Sequence, residues 1–135
     1  MSVERLRLGT VLVLLVPAGF LVKFAVPGAF GWWCRLYGAA VLYEVFWVVF
    51  LRLVFPQLAP VWCAAIVLVF TCILEVLQLW HPVWLEAIRA TFLGAAVLGT
   101  SFDKWDFPHY AMGSALGGFL VLAIARSARG RAEQS

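Results

Sequence analysis

The sequence has few charged residues, since Asp, Glu, Lys and Arg make up 13% of its 135 positions. A soluble domain has about a quarter of its residues charged, so this shortage excludes an ordinary water-soluble fold. The ten basic residues are not massed into a patch, which excludes a nucleic-acid-binding surface. The 64% hydrophobic content instead indicates a multi-span membrane protein whose main partner is the lipid bilayer.

Cysteine and histidine are also scarce, with three cysteines and two histidines in the chain. The cysteines, Cys34, Cys63 and Cys72, form no metal or redox motif. Two distant histidines with scattered carboxylates make no recognisable metal site, and Ser101 and Ser114 lack the context of a nucleophile elbow. The sequence therefore predicts no metal site, and it identifies no cofactor.

The apolar runs predict an all-α protein with four transmembrane helices in a single domain that covers residues 1–135. The predicted spans are residues 8–26, 35–55, 61–80 and 106–125. The first run starts like a signal peptide but is long enough to cross a bilayer, so we expect a retained helix. A loop is expected over Pro27–Cys34, and a short polar tail is expected from Arg126 onwards.

A connector of residues 83–105 separates the third and fourth spans and is too long and apolar for a simple loop. Leu85, Ile88, Phe92 and Leu93 fall on one helical face, which predicts a helix at the membrane interface. A re-entrant segment that protein covers is the alternative.

The distribution of basic residues predicts the orientation. An even number of spans places both termini on one side, and the positive-inside rule favours the side with more Lys and Arg. The terminal side has six, Arg5, Arg7, Arg52, Arg126, Arg129 and Arg131, and the other side has four, Lys23, Arg35, Arg89 and Lys104. We therefore expect cytoplasmic termini and a connector on the outer side.

A set of polar residues interrupts the apolar pattern near this outer side. Two of them lie one helical turn apart in the third span, one lies in the connector, and three share a face of the fourth span's first turns. An ionisable group in lipid is costly, so its default interpretation is a site or a paired contact. The candidate ligand-binding residues are Glu75, Gln78, Arg89, Asp106, His109 and Tyr110.

Each member of this set has a structural alternative. Glu75 would pair with Arg89 or Lys104 and fix the connector in place. Asp106 would serve as the N-cap of the fourth helix, and His109 would be a satisfied interfacial histidine. The functional interpretation depends on the whole set, because one pair of structural contacts does not require so many polar groups at one depth.

Glu44 is a candidate secondary polar site near the middle of the second span. Arg52 lies about 12 Å further along the helix axis, which is too far for a direct ion pair. We expect Glu44 to be protonated or to be bonded to a neighbour such as Thr71, at a similar depth. Gly113 and Gly117 form a small-xxx-small pair, which predicts a close helix approach.

Several segments taken together resemble a known family; they are Thr71–Pro82, Arg89–Thr91, Leu98–Phe102, Asp106–Tyr110 and Gly113. They are similar to the small bacterial membrane proteins grouped as domain of unknown function 2809, over about Tyr43–Gly113. More distantly, the order Glu-x-x-Gln, Arg, Asp and small-residue helix resembles the VanZ-like family. The resemblance picks out Glu75, Gln78, Arg89, Asp106, Tyr110 and Gly113.

The resemblance implies an integral protein of the bacterial inner membrane and brings no established activity. The chain departs from the family pattern at one place. Many members have an acidic residue near the outer start of the second span, where this chain has Arg35–Ala40 and its nearest acid is Glu44.

The leading functional hypothesis is a small membrane protein that binds a polar ligand or lipid headgroup in an outer-leaflet pocket. One alternative is a membrane enzyme that acts on a lipid-linked or envelope substrate, with Glu75 or His109 as its acid or base. Another is a structural subunit of a larger membrane complex, in which the polar set only holds helices together. The sequence decides neither whether the chain forms a homo-oligomer nor whether it is an enzyme.

Overall fold

The protein is described by a computed structural model that covers residues 2–132, with side chains to residue 130. Each regular element in this range is a helix, as predicted. The elements are α1 (Val3–Phe24), α2 (Gly28–Trp33), a π-helical turn (Cys34–Gly38), α3 (Ala39–Val54), α4 (Pro60–Leu77), α5 (Val83–Arg89), α6 (Phe92–Leu98) and α7 (Asp106–Ala132).

Four helical segments of the described chain are long and apolar enough to cross a membrane. They are α1, the continuous segment Gly28–Val54, α4 and the Asp106–Gly130 part of α7. Much of their apolar surface is exposed, as at Val13, Leu14 and Phe119. An apolar surface of this extent needs lipid around it, so the chain is a multi-pass membrane protein.

Two helices extend further than the sequence pattern predicted. The expected loop over Pro27–Cys34 is wrong, because the chain is helical from Gly28. Gly31 permits this, since a Cβ there would overlap the backbone carbonyl of Val26. Helix α7 continues beyond residue 125 to Ala132, because polar turns still form backbone hydrogen bonds outside the apolar layer. Residues 133–135 of the predicted tail lie outside the described residues.

Helix α7 packs closely against α3 through two glycines, as predicted. A Cβ on Gly113 would lie 2.5 Å from Glu44 Cβ and 2.6 Å from the carbonyl oxygen of Val41. A Cβ on Gly117 would lie 2.8 Å from Val48 Cβ. Only a residue without a side chain fits at these positions. The apolar core around this contact consists of Leu8, Leu12, Val45, Val48, Val49, Cys63, Val67, Val121 and Ile124.

An ion pair joins α1 to α3 at the end of the bundle where the chain begins. Arg52 is 7% exposed, and its Nη2 lies 2.6 Å from Glu4 Oε1. Its Nη1 donates to the carbonyl oxygen of Leu58 at 2.5 Å. Arg52 is therefore fixed within the protein at this end, while the polar residues around Glu75 lie at the other end. That other end, where α4 ends and α7 begins, is called the connector end below.

The connector contains two short helices rather than the one helix that was predicted. The break comes at Thr91, whose Oγ1 accepts a hydrogen bond from the backbone N–H of Gly94 at 3.0 Å and so caps α6. The expected common face is wrong, because this break interrupts the helical period. Leu85 is buried, whereas Phe92 and Leu93 are exposed. An interfacial position of the connector is still a prediction.

Candidate functional site

Glu75 is a fully buried residue near the end of α4. Its Oε1 accepts a hydrogen bond from the backbone N–H of Asp103 at 2.6 Å. Its Oε2 accepts from Gln78 Nε2 at 3.1 Å and from the Tyr110 hydroxyl at 2.9 Å. Donors from α4, from the segment before α7 and from α7 thus converge on one carboxyl group. Such bonds offset much of the cost of burying it.

Arg89 contacts the end of α4 instead of Glu75, so the structural alternative in which these two side chains form an ion pair is wrong. Its Nη2 donates to Leu77 O at 3.0 Å, and its Nη1 donates to Trp80 O at 2.9 Å. Leu77 O also accepts the backbone N–H of Trp80 at 3.0 Å, and the cation adds a donor at the end of the helix, where positive charge is favoured. Arg89 therefore caps the end of α4, which lies three residues before the predicted end at position 80.

Glu86 is the acid that pairs with Arg89. Their side chains approach to 2.7 Å, and His81 Nδ1 lies 3.1 Å from the same Glu86 oxygen. Glu86 lies in α5, outside the spanning helices. The hydrogen bonds from Arg89 and His81 hold the pKa of the Glu86 carboxyl below its ordinary value.

Asp106 and His109 lie on the first turns of α7. Asp106 is itself the first helical residue, and its N–H donates to Asp103 O at 2.9 Å. The His109 ring stacks on Tyr37, with 4.3 Å between ring centroids. His109 Nδ1 donates to Trp105 O at 2.6 Å. These contacts occupy one nitrogen and one face of the imidazole, and they leave His109 outside the hydrogen bonds of Glu75.

A cavity of about 220 Å³ lies at the connector end between α1, α3, α4, α6 and α7. Among the predicted site residues, Gln78 and Tyr110 line it, whereas Glu75, Arg89, Asp106 and His109 do not. Its polar lining consists of Lys23, Arg35, Tyr43, Thr71, Gln78 and Tyr110. We call this space the connector cavity.

Sequence reasoning missed Lys23 and Arg35 as members of the site, because it counted them only for membrane orientation. A usable signal was present. Both residues lie at span ends on the side of the chain that carries Gln78 and Tyr110, so the predicted topology brings them to a similar depth.

Gln78 has a buried side-chain amide in which the nitrogen has a hydrogen-bond partner and the oxygen has none among the described residues. It is 5% exposed, and its Nε2 donates to Glu75. Within residues 2–130, its Oε1 has no hydrogen-bond partner. Gly99, at φ +69°, packs directly on this amide, and a Cβ there would overlap Gln78 Nε2. The amide is therefore held between Glu75 and Gly99, next to the connector cavity.

Glu44 is fully buried at the contact between α3 and α7. Its Oε2 accepts a hydrogen bond from the Ser114 hydroxyl at 2.5 Å. Its Oε1 has no partner among the side chains that the structure describes. Thr71, the neighbour expected from depth, donates its hydroxyl proton within α4, to Val67 O at 3.0 Å. The secondary polar site thus joins α3 to α7.

Comparisons with known proteins identify a family but no activity. No curated protein and no solved structure matches the chain. A family model described as Protein of unknown function (DUF2809) matches residues 30–114. The match begins upstream of the segment that the sequence motifs indicated, and it includes Arg35 and the predicted site residues from Glu44 to Tyr110. The chain therefore belongs to this family, whose function is unknown.

Proposed function

We propose that this membrane protein binds a polar ligand or lipid headgroup in the connector cavity. The observation that carries the proposal is the lining of that cavity. Gln78, Tyr110, Lys23 and Arg35 surround one space of about 220 Å³ in a bundle whose other surfaces are largely apolar. A concave space with a few convergent polar groups is the usual form of a small-molecule site.

The unpaired oxygen of Gln78 supports the same proposal. A buried acceptor without a donor costs about 1–3 kcal/mol, and a bound ligand with a donor group would remove that cost. Glu75 and Gly99 hold the Gln78 amide from two sides, so the acceptor is positioned before a ligand arrives. With cytoplasmic termini, as the basic residues favour, the cavity opens towards the outer leaflet of the bacterial inner membrane.

A variant that fills the cavity tests the proposal. Ala96 lies on α6 and lines the connector cavity, so Ala96→Leu adds bulk there without removing a hydrogen bond. Ala87→Leu is the matched control, because Ala87 is exposed on α5 and does not line the cavity. Native mass spectrometry should find a small bound molecule on the wild type and the control, and much less on Ala96→Leu. Equal occupancy in all forms would refute binding in this cavity.

A structural role for the polar set is the second candidate, and the contacts of Glu75 favour it. Both of its oxygens already have donors, from Asp103, Gln78 and Tyr110. In that case Ala96→Leu would change neither bound mass nor stability, whereas loss of a donor to Glu75 would lower the unfolding temperature. The two candidates are therefore separated by the bound mass of the wild type and of Ala96→Leu.

A further inference from the structure

We infer that the ligand of the connector cavity is a phospholipid with an anionic headgroup that carries a free hydroxyl, of the phosphatidylglycerol type. The inference rests on the proposed function and names its ligand class. The phosphate would lie between Lys23 and Arg35, a headgroup hydroxyl would donate to Gln78 Oε1, and an acyl chain would occupy an adjoining apolar groove.

The two cations favour a phosphate. Lys23 and Arg35 both line the cavity, and in the described part of the chain neither forms an ion pair. Positive charge without a protein counter-ion, at the edge of an apolar bundle, attracts an anion more strongly than it would in water. Guanidinium and ammonium groups are the usual protein ligands of phosphate oxygens.

Gln78 favours a particular chemical group in the part of the headgroup beyond the phosphate. Its Nε2 donates to Glu75, and its oxygen is the part of the amide that has no partner within residues 2–130. A hydroxyl group can donate to that oxygen. A choline group has no donor, and an ethanolamine would bring a third positive charge next to Lys23 and Arg35. The expected preference is therefore for glycerol over ethanolamine and choline headgroups.

An apolar groove adjoins the connector cavity along α3 and α4. It has a volume of about 230 Å³ and shares Tyr43, Thr71 and Val97 with the cavity. The rest of its lining is apolar and includes Trp47 and Ile66. A polar cavity beside an apolar groove matches a molecule with a charged head and a hydrocarbon chain. The shared wall of the two spaces favours a lipid over a free phosphate ester.

The headgroup assignment is tested in nanodiscs of phosphatidylcholine that contain phosphatidylglycerol or phosphatidylethanolamine as the minor lipid. Native mass spectrometry should find phosphatidylglycerol on the wild type at several times its share of the membrane. The double variant Lys23→Gln, Arg35→Gln should lose at least tenfold in this enrichment. The control double variant Arg126→Gln, Arg129→Gln removes the same amount of charge from the opposite end of α7. It should keep the phosphatidylglycerol enrichment of the wild type. Equal enrichment in both variants would overturn the assignment.

The groove is tested with a second pair of variants. Ile66 is exposed and lines the groove, so Ile66→Trp should weaken phosphatidylglycerol binding. Ile73→Trp changes an exposed residue of α4 outside the groove and should have no effect. Free glycerol phosphate should displace the lipid only weakly, because the groove adds nothing to its binding. Displacement at the concentration at which the lipid itself competes would overturn the lipid assignment.

These outcomes separate the ligand class from the proposed function. A wild type that carries a different small molecule, which Ala96→Leu loses, would refute the phospholipid and retain the cavity as a binding site. A wild type that carries no molecule sensitive to Ala96→Leu, together with no phosphatidylglycerol enrichment, would refute both.

Discussion

Tyr110 on α7 donates its hydroxyl proton to Glu75 Oε2 on α4 at 2.9 Å. The same carboxyl group accepts the N–H of Asp103, in the segment that leads into α7. Glu75 therefore fixes the start of α7 against the end of α4, and with it one wall of the connector cavity. A group that looks like an isolated acid in an apolar helix is the centre of a hydrogen-bonded junction between helices.

The first prediction concerns this junction. Tyr110→Phe removes one donor to a buried carboxyl group, and we expect it to lower the free energy of unfolding by about 1.5–3 kcal/mol. Because both residues share one bond, the effects of Tyr110→Phe and Glu75→Gln should be non-additive by at least about 0.5 kcal/mol. Chemical unfolding of the purified single and double variants measures this coupling.

A distant acid provides the control for this cycle. Glu4 pairs with Arg52 at the opposite end of the bundle, so Glu4→Gln and Tyr110→Phe should add within about 0.5 kcal/mol. If the effects of Glu75→Gln and Tyr110→Phe also add, the hydrogen bond between these residues does not contribute to stability.

The sequence predicted this site in part, and the reason is physical. Helical spacing and chain direction place Glu75, Gln78 and Tyr110 at one depth, and the structure joins them by direct hydrogen bonds. Spacing could not predict the partner of Arg89, because that depends on where α4 ends. Where α4 ends, the carbonyl oxygens of Leu77 and Trp80 compete with Glu75 for the cation, and they bind it.

The second prediction concerns Gly99 and the amide of Gln78. Gly99→Ala places a side chain at φ +69° and against Gln78, so it should both strain the backbone and displace the amide. We expect a loss of unfolding free energy of about 1–3 kcal/mol, together with weaker ligand binding. Gly28→Ala is the control, because Gly28 has φ +76° but open space around its Cβ position. A ligand loss in the control equal to that in Gly99→Ala would contradict the role of the Gln78 contact.

The third prediction concerns the contact of α7 with α3. Gly113→Ala would place a methyl group against Glu44 and the backbone carbonyl of Val41. A backbone carbonyl within a helix cannot rotate away as a flexible side chain can. We expect a loss of about 1–3 kcal/mol in unfolding free energy, measured by thermal or chemical unfolding. Gly130→Ala, on the same helix with no atom of the described residues within 4 Å of the new Cβ, should be neutral or slightly stabilising. Similar losses in both variants would mean that helix propensity, not packing, sets the effect.

The fold was more predictable than the helix ends. Long apolar runs predict spanning helices because lipid requires every backbone polar group to be bonded within the segment. The region around Gly28–Trp33 reads as a loop because glycines are frequent in turns. In this protein Gly31 serves packing instead, since it lets the chain pass close to the carbonyl group of Val26. Composition alone does not distinguish these two uses of glycine.

The fourth prediction concerns the pH dependence of the contact between α5 and the end of α4. Hydrogen bonds from Arg89 and His81 lower the pKa of Glu86 in the folded state below its ordinary value of 4.5. The ionised carboxyl group therefore favours the folded state, fully above about pH 4.5, and the benefit is lost as the pH falls through the lowered pKa. Glu86→Gln should unfold at a slightly lower temperature than the wild type at neutral pH.

Thermal unfolding across the acidic range checks this sign. The difference between wild type and Glu86→Gln should shrink as the pH falls through the lowered pKa of Glu86, because the Glu86 carboxyl group then becomes neutral like the glutamine amide. Lys104→Gln is the control, because it changes a side chain near the start of α7 without changing a carboxyl group, and its difference from the wild type should stay constant. A Glu86→Gln difference that persists or grows in acid would mean that the pairing of Glu86 with Arg89 does not stabilise the connector.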